Sequence, residues 1–553
     1  MTLTLLRGGR IHTAADPDAT ALAFDGSIIS WIGGEHALSV AGRPDRVIDL
    51  AGALVIPGFV DAHVHTTDAG LSLTGLDLTG TRSLAQCLDA IGRYAATHPD
   101  GVLWGHGWDD HQWPENRPPS RVELDAVVGA RRAYLSRIDV HCALISSPLA
   151  AAITDGRALP GWSETGPISM AAHAAVRGFI RGALPPEQRR AAQLAFLSAA
   201  AARGIVEVHE CAAADDTGRA DLAALLALDG PIPVRGYLAA AVSDPAQARS
   251  LLAETGAHAL GGDLVIDGAI GSRTAALSSP YLDDPSTSGT RYLTLEEITD
   301  HLVACTQAGV QAGFHAIGDD AVSAIGQALR AAAKRLGDNG TVRLASCTHR
   351  IEHAEMPDSE AIAAIAATGT VASVQPLFDA AWGGTGGMYA RRLGAERAAA
   401  MNPFAAMAAA GVSLAFGSDA PVTPVDTWAA VQAAVHHRTL GQGLSPRAAF
   451  TAHTRGGHRA AGRTDRGIGT LAVGAPAHLA IVEAGELVRP AGDPLVQRWS
   501  TDPRSRVPLL PDLTPGVALP RTLATVVAGL VVYDVGIFGE RSSTFMDRSP
   551  DRL

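Results

Sequence analysis

The most informative stretch of the chain reads Val55-Ile56-Pro57-Gly58-Phe59-Val60-Asp61-Ala62-His63-Val64-His65. The apolar run from Ala53 to Val60 predicts a strand that ends in two histidines, His63 and His65. Alternate residues of a strand project to the same face, so both imidazoles are expected to point the same way. Two neutral imidazoles on one face supply half of a metal site. Two ordinary polar residues at a strand end would give the same pattern, so the interpretation depends on the rest of the chain.

The overall composition is that of a large protein with an ample apolar core. The chain has 553 residues, of which 47% are apolar and 18% charged, enough for a large α/β unit plus a smaller module. A formal net charge of -12 argues against non-specific binding to nucleic acid, which needs a basic surface. No run of lysine and arginine suggests binding to a membrane surface. No apolar run reaches the roughly 18 residues that a spanning helix requires.

The cysteines and the N-terminal sequence bear on the compartment. Five cysteines are scattered without CxxC spacing, which is typical of reduced thiols. The first residues lack a basic segment followed by a long apolar one, so no signal peptide is predicted. We therefore expect a cytoplasmic protein.

Strand and helix patterns divide the chain into three parts. Short strands and turns near both ends predict one small β-sandwich built from residues 1–56 and 470–553. Residues 57–469 alternate apolar strands with helices, and 71–202 is too long for one crossover, so we predict an inserted subdomain there. After the first strand, seven more are predicted at Gly204–Glu210, Val234–Ala240, Leu264–Gly268, Val310–His315, Ser346–His353, Thr370–Gln375 and Val412–Asp419. Eight such units predict a TIM-like (β/α)8 barrel with its active site at the C-terminal ends of the strands.

Metal-ligand residue types stand at four of these strand ends. They are His63 and His65 on the first strand, His315 on the fifth, His353 on the sixth and Asp419 on the eighth. Each alone would more often be a hydrogen-bonded core residue. Together they converge on one face of one barrel, and imidazole and carboxylate are donors that zinc accepts. The pattern predicts a metal centre.

Several motifs carry a family resemblance. The stretch Pro57 to His65 resembles the opening motif of the amidohydrolase superfamily. Four further segments resemble the branch that includes the YtcJ-like proteins and the N-substituted formamide deformylases: Asp267-Gly268-Ala269-Ile270-Gly271-Ser272-Arg273-Thr274-Ala275, His315-Ala316-Ile317-Gly318-Asp319, Arg350-Ile351-Glu352-His353 and Phe416-Gly417-Ser418-Asp419-Ala420-Pro421. The resemblance extends over nearly the whole chain.

The resemblance implies roles for the strand-end residues. His63 and His65, completed by Asp419, would bind the more buried ion, and His315 with His353 would hold a second ion if one is present. The cofactor would be a divalent metal, with zinc as the first candidate, in one or two copies. Asp419 would accept a proton from the attacking water and hand it to the leaving group.

One position departs from the family pattern. Relatives often carry a lysine on the fourth strand that is carboxylated and bridges two metals, whereas this chain has Asp263 there. Glu210, at the end of the second strand, is our candidate for the bridge, since a carboxylate can join two cations. The alternative is that Glu210 only accepts a hydrogen bond from a ligand histidine, and a single-metal site is then the simpler hypothesis.

Two further residues near the predicted mouth are candidates for binding substrate. His141, in the insertion, is a candidate for hydrogen bonding a substrate carbonyl or oxyanion, with a structural role as the alternative. Arg273 is a candidate partner for a substrate carboxylate, or else ties down its own loop.

The hypothesis that follows is a metal-dependent hydrolase that cleaves a carbon–nitrogen bond other than a peptide bond, such as an amide or formamide. Its partner would be a small-molecule substrate, and the resemblance is compatible with a homodimer. A deaminase of the same superfamily is the nearest alternative, and a non-catalytic barrel that serves as a scaffold is the alternative from another class.

Overall fold

The structure is a computed structural model that describes residues 2–36, 42–110, 113–138, 142–463, 467–488 and 507–539. Within these ranges the chain has a mixed α/β fold. No helix in these ranges combines the length and the apolar character needed to cross a membrane.

Eight parallel strands lie at the centre of the fold and form two four-stranded sheets. In chain order they are Phe59–Val64, Ile205–Ala213, Val234–Ala239, Ala259–Leu260, Gly313–Ala316, Arg350–His353, Val371–Val374 and Ser413–Phe416. The first four form one sheet and the last four the other, each strand pairing with its sequence neighbour. Isolated parallel bridges connect the two sheets, from Val64 to Ala420 at one seam and from Leu260 to Ala312 at the other. This order is consistent with the predicted (β/α)8 barrel, but the strand pairing is interrupted at both seams.

The predicted first strand proves to be two strands. Leu54–Pro57 pairs antiparallel with Leu479–Glu483 in a terminal sheet, and Phe59–Val64 begins the central sheet. Gly58 joins them where there is no room for a side chain, because a Cβ there would lie 2.2 Å from Val206. The chain therefore changes sheets at Gly58. The strand that carries His63, Phe59–Val64, begins and ends later in the chain than the predicted strand from Ala53 to Val60.

The fourth central strand is also displaced from its prediction at Leu264–Gly268. The strand is Ala259–Leu260, and Gly261 and Gly262 follow with positive φ angles of 156° and 67°. A Cβ on Gly261 would lie 2.2 Å from the backbone of Gly313. Only glycine at position 261 therefore lets the chain pass this close to the fifth strand.

Helices connect and cover the central strands. Their bounds are Thr66–Thr74, Leu84–Thr97, Arg121–Val128, Ser147–Ala151, Met170–Gly182, Pro186–Ala202, Asp216–Leu226, Pro245–Thr255, Leu295–Ala308, Asp319–Arg335, Gly340–Cys347, Ser359–Ala367, Pro376–Trp382, Met388–Leu393, Ala395–Ala399, Phe404–Ala409, Thr427–Val435, Pro446–His453 and Arg455–Ala460, with a 3-10 turn at Gly156–Ala158. One apolar core joins strands and helices. At its base Phe59 meets Trp428 and Phe450 edge to face, with centroids 5.3 and 5.8 Å away.

Four further sheets of the described residues lie around this centre. Between the first two central strands, the chain forms a five-stranded sheet from Leu76–Asp77, Leu103–Trp108, Ala133–Arg137, Cys142–Ile145 and Ile168–Ser169. The chain termini form a four-stranded sheet from Leu3–Arg7, Ala21–Asp25, Ile28–Gly33 and Arg46–Asp49, and a five-stranded one from Arg10–Ile11, Leu54–Pro57, Leu479–Glu483, Arg521–Val527 and Leu530–Asp534. Leu487–Val488 pairs with Leu510–Pro511. The two large terminal sheets share one apolar core, to which both ends of the chain contribute.

Candidate metal centre

Four histidines meet at the C-terminal edge of the central strands. The ring centroids of His63 and His65 are 5.5 Å apart, those of His63 and His353 are 5.0 Å apart, and those of His315 and His353 are 4.4 Å apart. His63 is fully buried, whereas the side chain of His65 is 20% exposed. The cluster is therefore closed towards the strands and open on the side of His65.

Two carboxylates lie among these rings. Asp419 places Oδ1 3.4 Å from Nε2 of His63 and 3.2 Å from Nε2 of His65. Asp263 places Oδ2 3.1 Å from Nε2 of His65, and its Oδ1 lies 3.5 Å from Nε2 of His63. The same Oδ1 lies 3.5 Å from Nδ1 of His315 and 3.9 Å from Nε2 of His353. Asp263 is thus the group that approaches all four imidazoles.

Three of the histidines are oriented by hydrogen bonds from Nδ1. His63 donates to Oε2 of Glu352 at 2.9 Å, and His65 donates to the carbonyl oxygen of Cys211 at 3.1 Å. His353 donates to Oε1 of Gln375 at 2.8 Å. With Nδ1 used in this way, Nε2 of each ring is directed at the carboxylates, which is the usual arrangement of histidines that bind a metal.

A buried ion pair holds Glu352 in place. Arg350 donates from Nε to Oε1 of Glu352 at 2.8 Å and from Nη2 to Oε2 at 2.7 Å. It also donates from Nη1 to Nδ1 of His209 at 2.9 Å, and His209 in turn donates to Glu207 at 3.3 Å. Both Arg350 and Glu352 are fully buried, so the pairing that compensates their charges also fixes the position of His63.

The backbone has a positive φ angle at two of the proposed ligand positions. His353 has a φ of 69° and Asp419 a φ of 54°, in the left-handed region that non-glycine residues seldom adopt. Hydrogen bonds fix the second of these, since the Asp419 amide donates to the His63 carbonyl oxygen at 2.8 Å. Such conformations concentrate at functional sites, where the surrounding structure imposes them.

The electrostatics of the centre favour ionised carboxylates. Burial lowers the pKa of His65, but the carboxylates of Asp263 and Asp419, 3.1 and 3.2 Å from its Nε2, outweigh burial and raise this pKa to about 10. Burial raises the pKa of Asp263, but the charge of His63 and the nearby imidazole of His315 bring it well below its usual value. Without a metal, protons on the imidazoles therefore balance the two carboxylates.

These residues fit a divalent metal ion. Nε2 of His63, Oδ1 of Asp263 and Oδ1 of Asp419 are all buried, and none has a hydrogen-bond partner in the described part of the chain. Ligand atoms of His63, His65 and Asp419 lie within 4.8 Å of one another, as do those of His63, Asp263 and His353. Buried polar atoms without partners are costly, and a cation among them would satisfy all three.

Comparison with known proteins identifies the family. The sequence profile of the amidohydrolase family matches residues 46–533. The chain belongs to the amidohydrolase family. The family that the motifs indicated is therefore confirmed.

One known relative of this amidohydrolase matches most of the chain, and another matches about a quarter of it. The putative amidohydrolase YtcJ of Bacillus subtilis (strain 168) is 28% identical over 471 residues, which is 79% of this chain and 84% of that protein. The N-substituted formamide deformylase of Arthrobacter pascens is 33% identical over 138 residues, which is 24% of this chain and 25% of that protein. The crystal structure of an uncharacterized metal-dependent hydrolase from Pyrococcus horikoshii has a TM-score of 0.70 at 24% identity, covering 90% of this chain and 98% of that one. This last likeness concerns the fold.

The amidohydrolase structure brings five of the predicted metal ligands together, namely His63, His65, His315, His353 and Asp419. The sixth, Glu210, has a different partner: its Oε2 accepts a hydrogen bond at 2.7 Å from the amide of Thr66, which begins the helix after His65. Glu210 is absent from the groups of close ligand atoms found among the described residues. Its carboxylate instead satisfies an amide at a helix N-terminus, where a negative charge is favourable.

The two substrate-binding candidates of this amidohydrolase have different outcomes. His141 lies outside the described residues, so its role stays a prediction. Arg273 donates from Nε and Nη2 to the two carboxylate oxygens of Asp283 at 3.1 and 2.9 Å. This bidentate pair supports the alternative that Arg273 ties down its own loop.

Three residues that shape the site were not predicted from the sequence: Asp263, Glu352 and Gln375. Glu352 had one usable signal, since it precedes His353 in a buried strand whose other charged member, Arg350, lies on the same face. A carboxylate and a guanidinium that share a buried face are expected to be paired.

Proposed function

We propose that this amidohydrolase hydrolyses a carbon–nitrogen bond other than a peptide bond, in an amide or formamide group of a small molecule, with the help of a divalent metal. The observation that carries the proposal is the donor set: imidazoles from three strands and the carboxylate of Asp419 meet at one edge, where Nε2 of His63 and Oδ1 of Asp419 are buried without a hydrogen-bond partner among the described residues. A non-catalytic scaffold has no need to maintain buried polar atoms without partners, since each costs folding free energy.

The proposed metal ligands fall into two groups. His63, His65 and Asp419 would hold the more enclosed ion, and His315 with His353 would hold a second one. Imidazole nitrogen and carboxylate oxygen are the donors that zinc takes in catalytic sites, which makes zinc the first candidate. When bound, such an ion supplies a water nucleophile at neutral pH and polarises the carbonyl oxygen of the substrate.

Asp419 is the proposed general base and then general acid. Burial raises its pKa, but the charge of His63 and the imidazole of His65, 3.2 Å from its Oδ1, lower it below the usual value. The group is therefore ionised at neutral pH and can take a proton from the attacking water, then return it to the departing nitrogen. Its side chain is 9% exposed, and the neighbouring Asp263 is 22% exposed, so substrate would approach from this side.

The class of bond that we propose is cleaved is argued from a relative and from shared sequence motifs. The Arthrobacter pascens relative is an N-substituted formamide deformylase, and the motifs shared with that branch support an amide or formamide. We also propose a cytoplasmic location, because all five cysteines are free, as expected in a reducing compartment.

Turnover of small N-formyl and N-acyl amines by the metal-loaded protein tests the proposal. Release of an amine with formate or another carboxylate is the expected result, whereas release of ammonia from an amidine-like carbon would support the deaminase alternative. Asp419→Asn should slow the reaction by at least about 100-fold, and Asp426→Asn is the control, since Asp426 caps the helix Thr427–Val435 outside the site. A protein that binds no divalent metal even after supplementation would contradict the proposal and favour the scaffold.

A further inference from the structure

Asp263 lies among the four histidines but belongs to neither of the two ligand groups proposed above. Building on the proposed function, we propose that Asp263 is the carboxylate that bridges two divalent ions. The chain itself would thereby encode the group that relatives make by carboxylating a lysine.

The distances separate the two carboxylates of the site into different roles. Asp419 approaches only the pair from the first strand, at 3.4 Å from His63 and 3.2 Å from His65. Asp263 approaches His65 through Oδ2 at 3.1 Å and His315 through Oδ1 at 3.5 Å. Its two oxygens therefore reach both groups of imidazoles, as a bridging carboxylate must.

The local backbone explains how this short side chain reaches the middle of the site. Gly261 and Gly262, with positive φ, end the fourth strand and let the chain approach the neighbouring strands closely. A Cβ on Gly262 would lie 2.9 Å from Sγ of Cys211, so even alanine is crowded there. The next residue, Asp263, is thus held at the strand edge without the length of a lysine side chain.

The composition of the chain excludes the usual alternative. Carboxylation of lysine joins a neutral amine to carbon dioxide, and it needs a lysine within reach of the metals. This chain contains a single lysine, Lys334. It is exposed in the last turn of the helix Asp319–Arg335, which begins near the site and runs away from it. A bridging carboxylate must therefore come from an aspartate or a glutamate.

The competing carboxylate is Glu210, and its contacts argue against it. Glu210 is 2% exposed, and its Oε2 accepts a hydrogen bond from the amide of Thr66 at 2.7 Å. Oδ1 of Asp263, in contrast, is buried without a hydrogen-bond partner among the described residues. The atom that lacks a partner is the better candidate for a metal ligand.

The test compares metal binding by the full chain and three variants. Metal-free protein is reloaded with Mn²⁺ in buffer freed of carbon dioxide and in buffer with added bicarbonate. Elemental analysis gives the ions per chain, and electron paramagnetic resonance reports exchange coupling between bridged ions. The variants are Asp263→Asn, Asp263→Ser and, as a matched buried carboxylate, Glu210→Gln. Thermal melting of each metal-free variant verifies that it is folded.

The expected result is about two coupled ions per chain in the wild type and in Glu210→Gln, with or without bicarbonate. Both Asp263 variants should lose the coupling and bind about one ion. A coupled pair that survives in either folded Asp263 variant, that requires bicarbonate, or that disappears in Glu210→Gln would overturn the assignment. A wild type that binds one ion and hydrolyses substrate would reject the bridge and leave the proposed function intact, whereas a wild type that binds none would reject both.

Discussion

The hydrogen bond between His63 and Glu352 provides the sharpest test of how the centre is organised. Both side chains are fully buried, and Oε2 of Glu352 lies 2.9 Å from Nδ1 of His63 and 2.7 Å from Nη2 of Arg350. Replacing Glu352 by glutamine keeps the shape and removes the charge. We predict that this substitution weakens binding of the first metal ion by about 10- to 100-fold.

The magnitude follows from the contacts. A hydrogen bond to a charged group contributes about 1.5–3 kcal/mol and a neutral one about 0.5–1.5 kcal/mol, so the lost charge costs about 1–1.5 kcal/mol. The glutamine also places an NH2 group at one of the two oxygen positions, each of which accepts at least one hydrogen bond, so at least one hydrogen bond is lost in a buried site, at a cost of about 1–3 kcal/mol. Since about 1.4 kcal/mol corresponds to a tenfold change in affinity, the portion of this cost that falls on His63 gives the predicted range.

The assay is a titration of metal-free protein with Zn²⁺ against a competing chelator. The control is Glu207→Gln, because Glu207 is a nearly buried carboxylate of the same network that contacts His209 rather than a proposed ligand. The control should lower the melting temperature yet bind zinc within about threefold of wild type, in contrast to the range given above. Equal zinc affinity in wild type and a folded Glu352→Gln would refute the claim that Glu352 orients His63.

Three more predictions concern catalysis, metal and pH. Asp419→Asn should reduce turnover by at least about 100-fold, the range of general acid–base catalysis, and activity close to wild type would exclude Asp419 as the base. Removal of metal by a chelator should abolish turnover and lower the melting temperature, with both restored by Zn²⁺, because an ion that binds only the folded state stabilises it by about 4 kcal/mol at 1,000 times its dissociation constant. Burial lowers the pKa of His301 and of His453 from 6.5 to about 4, so both are neutral in the fold and take up protons on unfolding. The free energy of unfolding therefore keeps its full value above pH 6.5 and falls by up to about 3 kcal/mol for each histidine as the pH falls towards 4. Thermal melting of the metal-free protein should show a midpoint that falls over this window. The fall should be shallower in His453→Gln.

The part of the site that sequence could predict is the part that depends on local periodicity. His63 and His65 are two residues apart at the end of an apolar run, and alternation alone places both rings on one face. His315 likewise follows a short apolar segment, whereas His353 ends the predicted strand Ser346–His353, whose residues are mostly polar. Because parallel strands end at a common edge, four such endings predict a cluster without any knowledge of the helices between them.

The rest depended on close approaches that no local pattern encodes. The change of sheet at Gly58 is set by Val206, and the displaced fourth strand by the backbone of Gly313. The bond from His63 to Glu352 joins residues 289 positions apart. Each of these contacts exists only once the central strands are side by side, so propensity and periodicity are silent about them.

The same alternation that places the histidines also explains why the centre is anchored on buried charge. Glu207 and His209 are alternate residues of the second strand, and Arg350 and Glu352 are alternate residues of the sixth, so each pair shares a face. The bond from His209 to Arg350 shows that the two faces meet. An apolar lining at this place would cost less folding free energy, since replacing a buried ion pair by apolar residues is often neutral or stabilising. What an apolar lining lacks is a fixed acceptor for Nδ1 of His63. The buried charges therefore give the site a defined ring orientation before any metal arrives, and a loss of metal affinity larger in Glu352→Gln than in Glu207→Gln is the outcome that this argument requires.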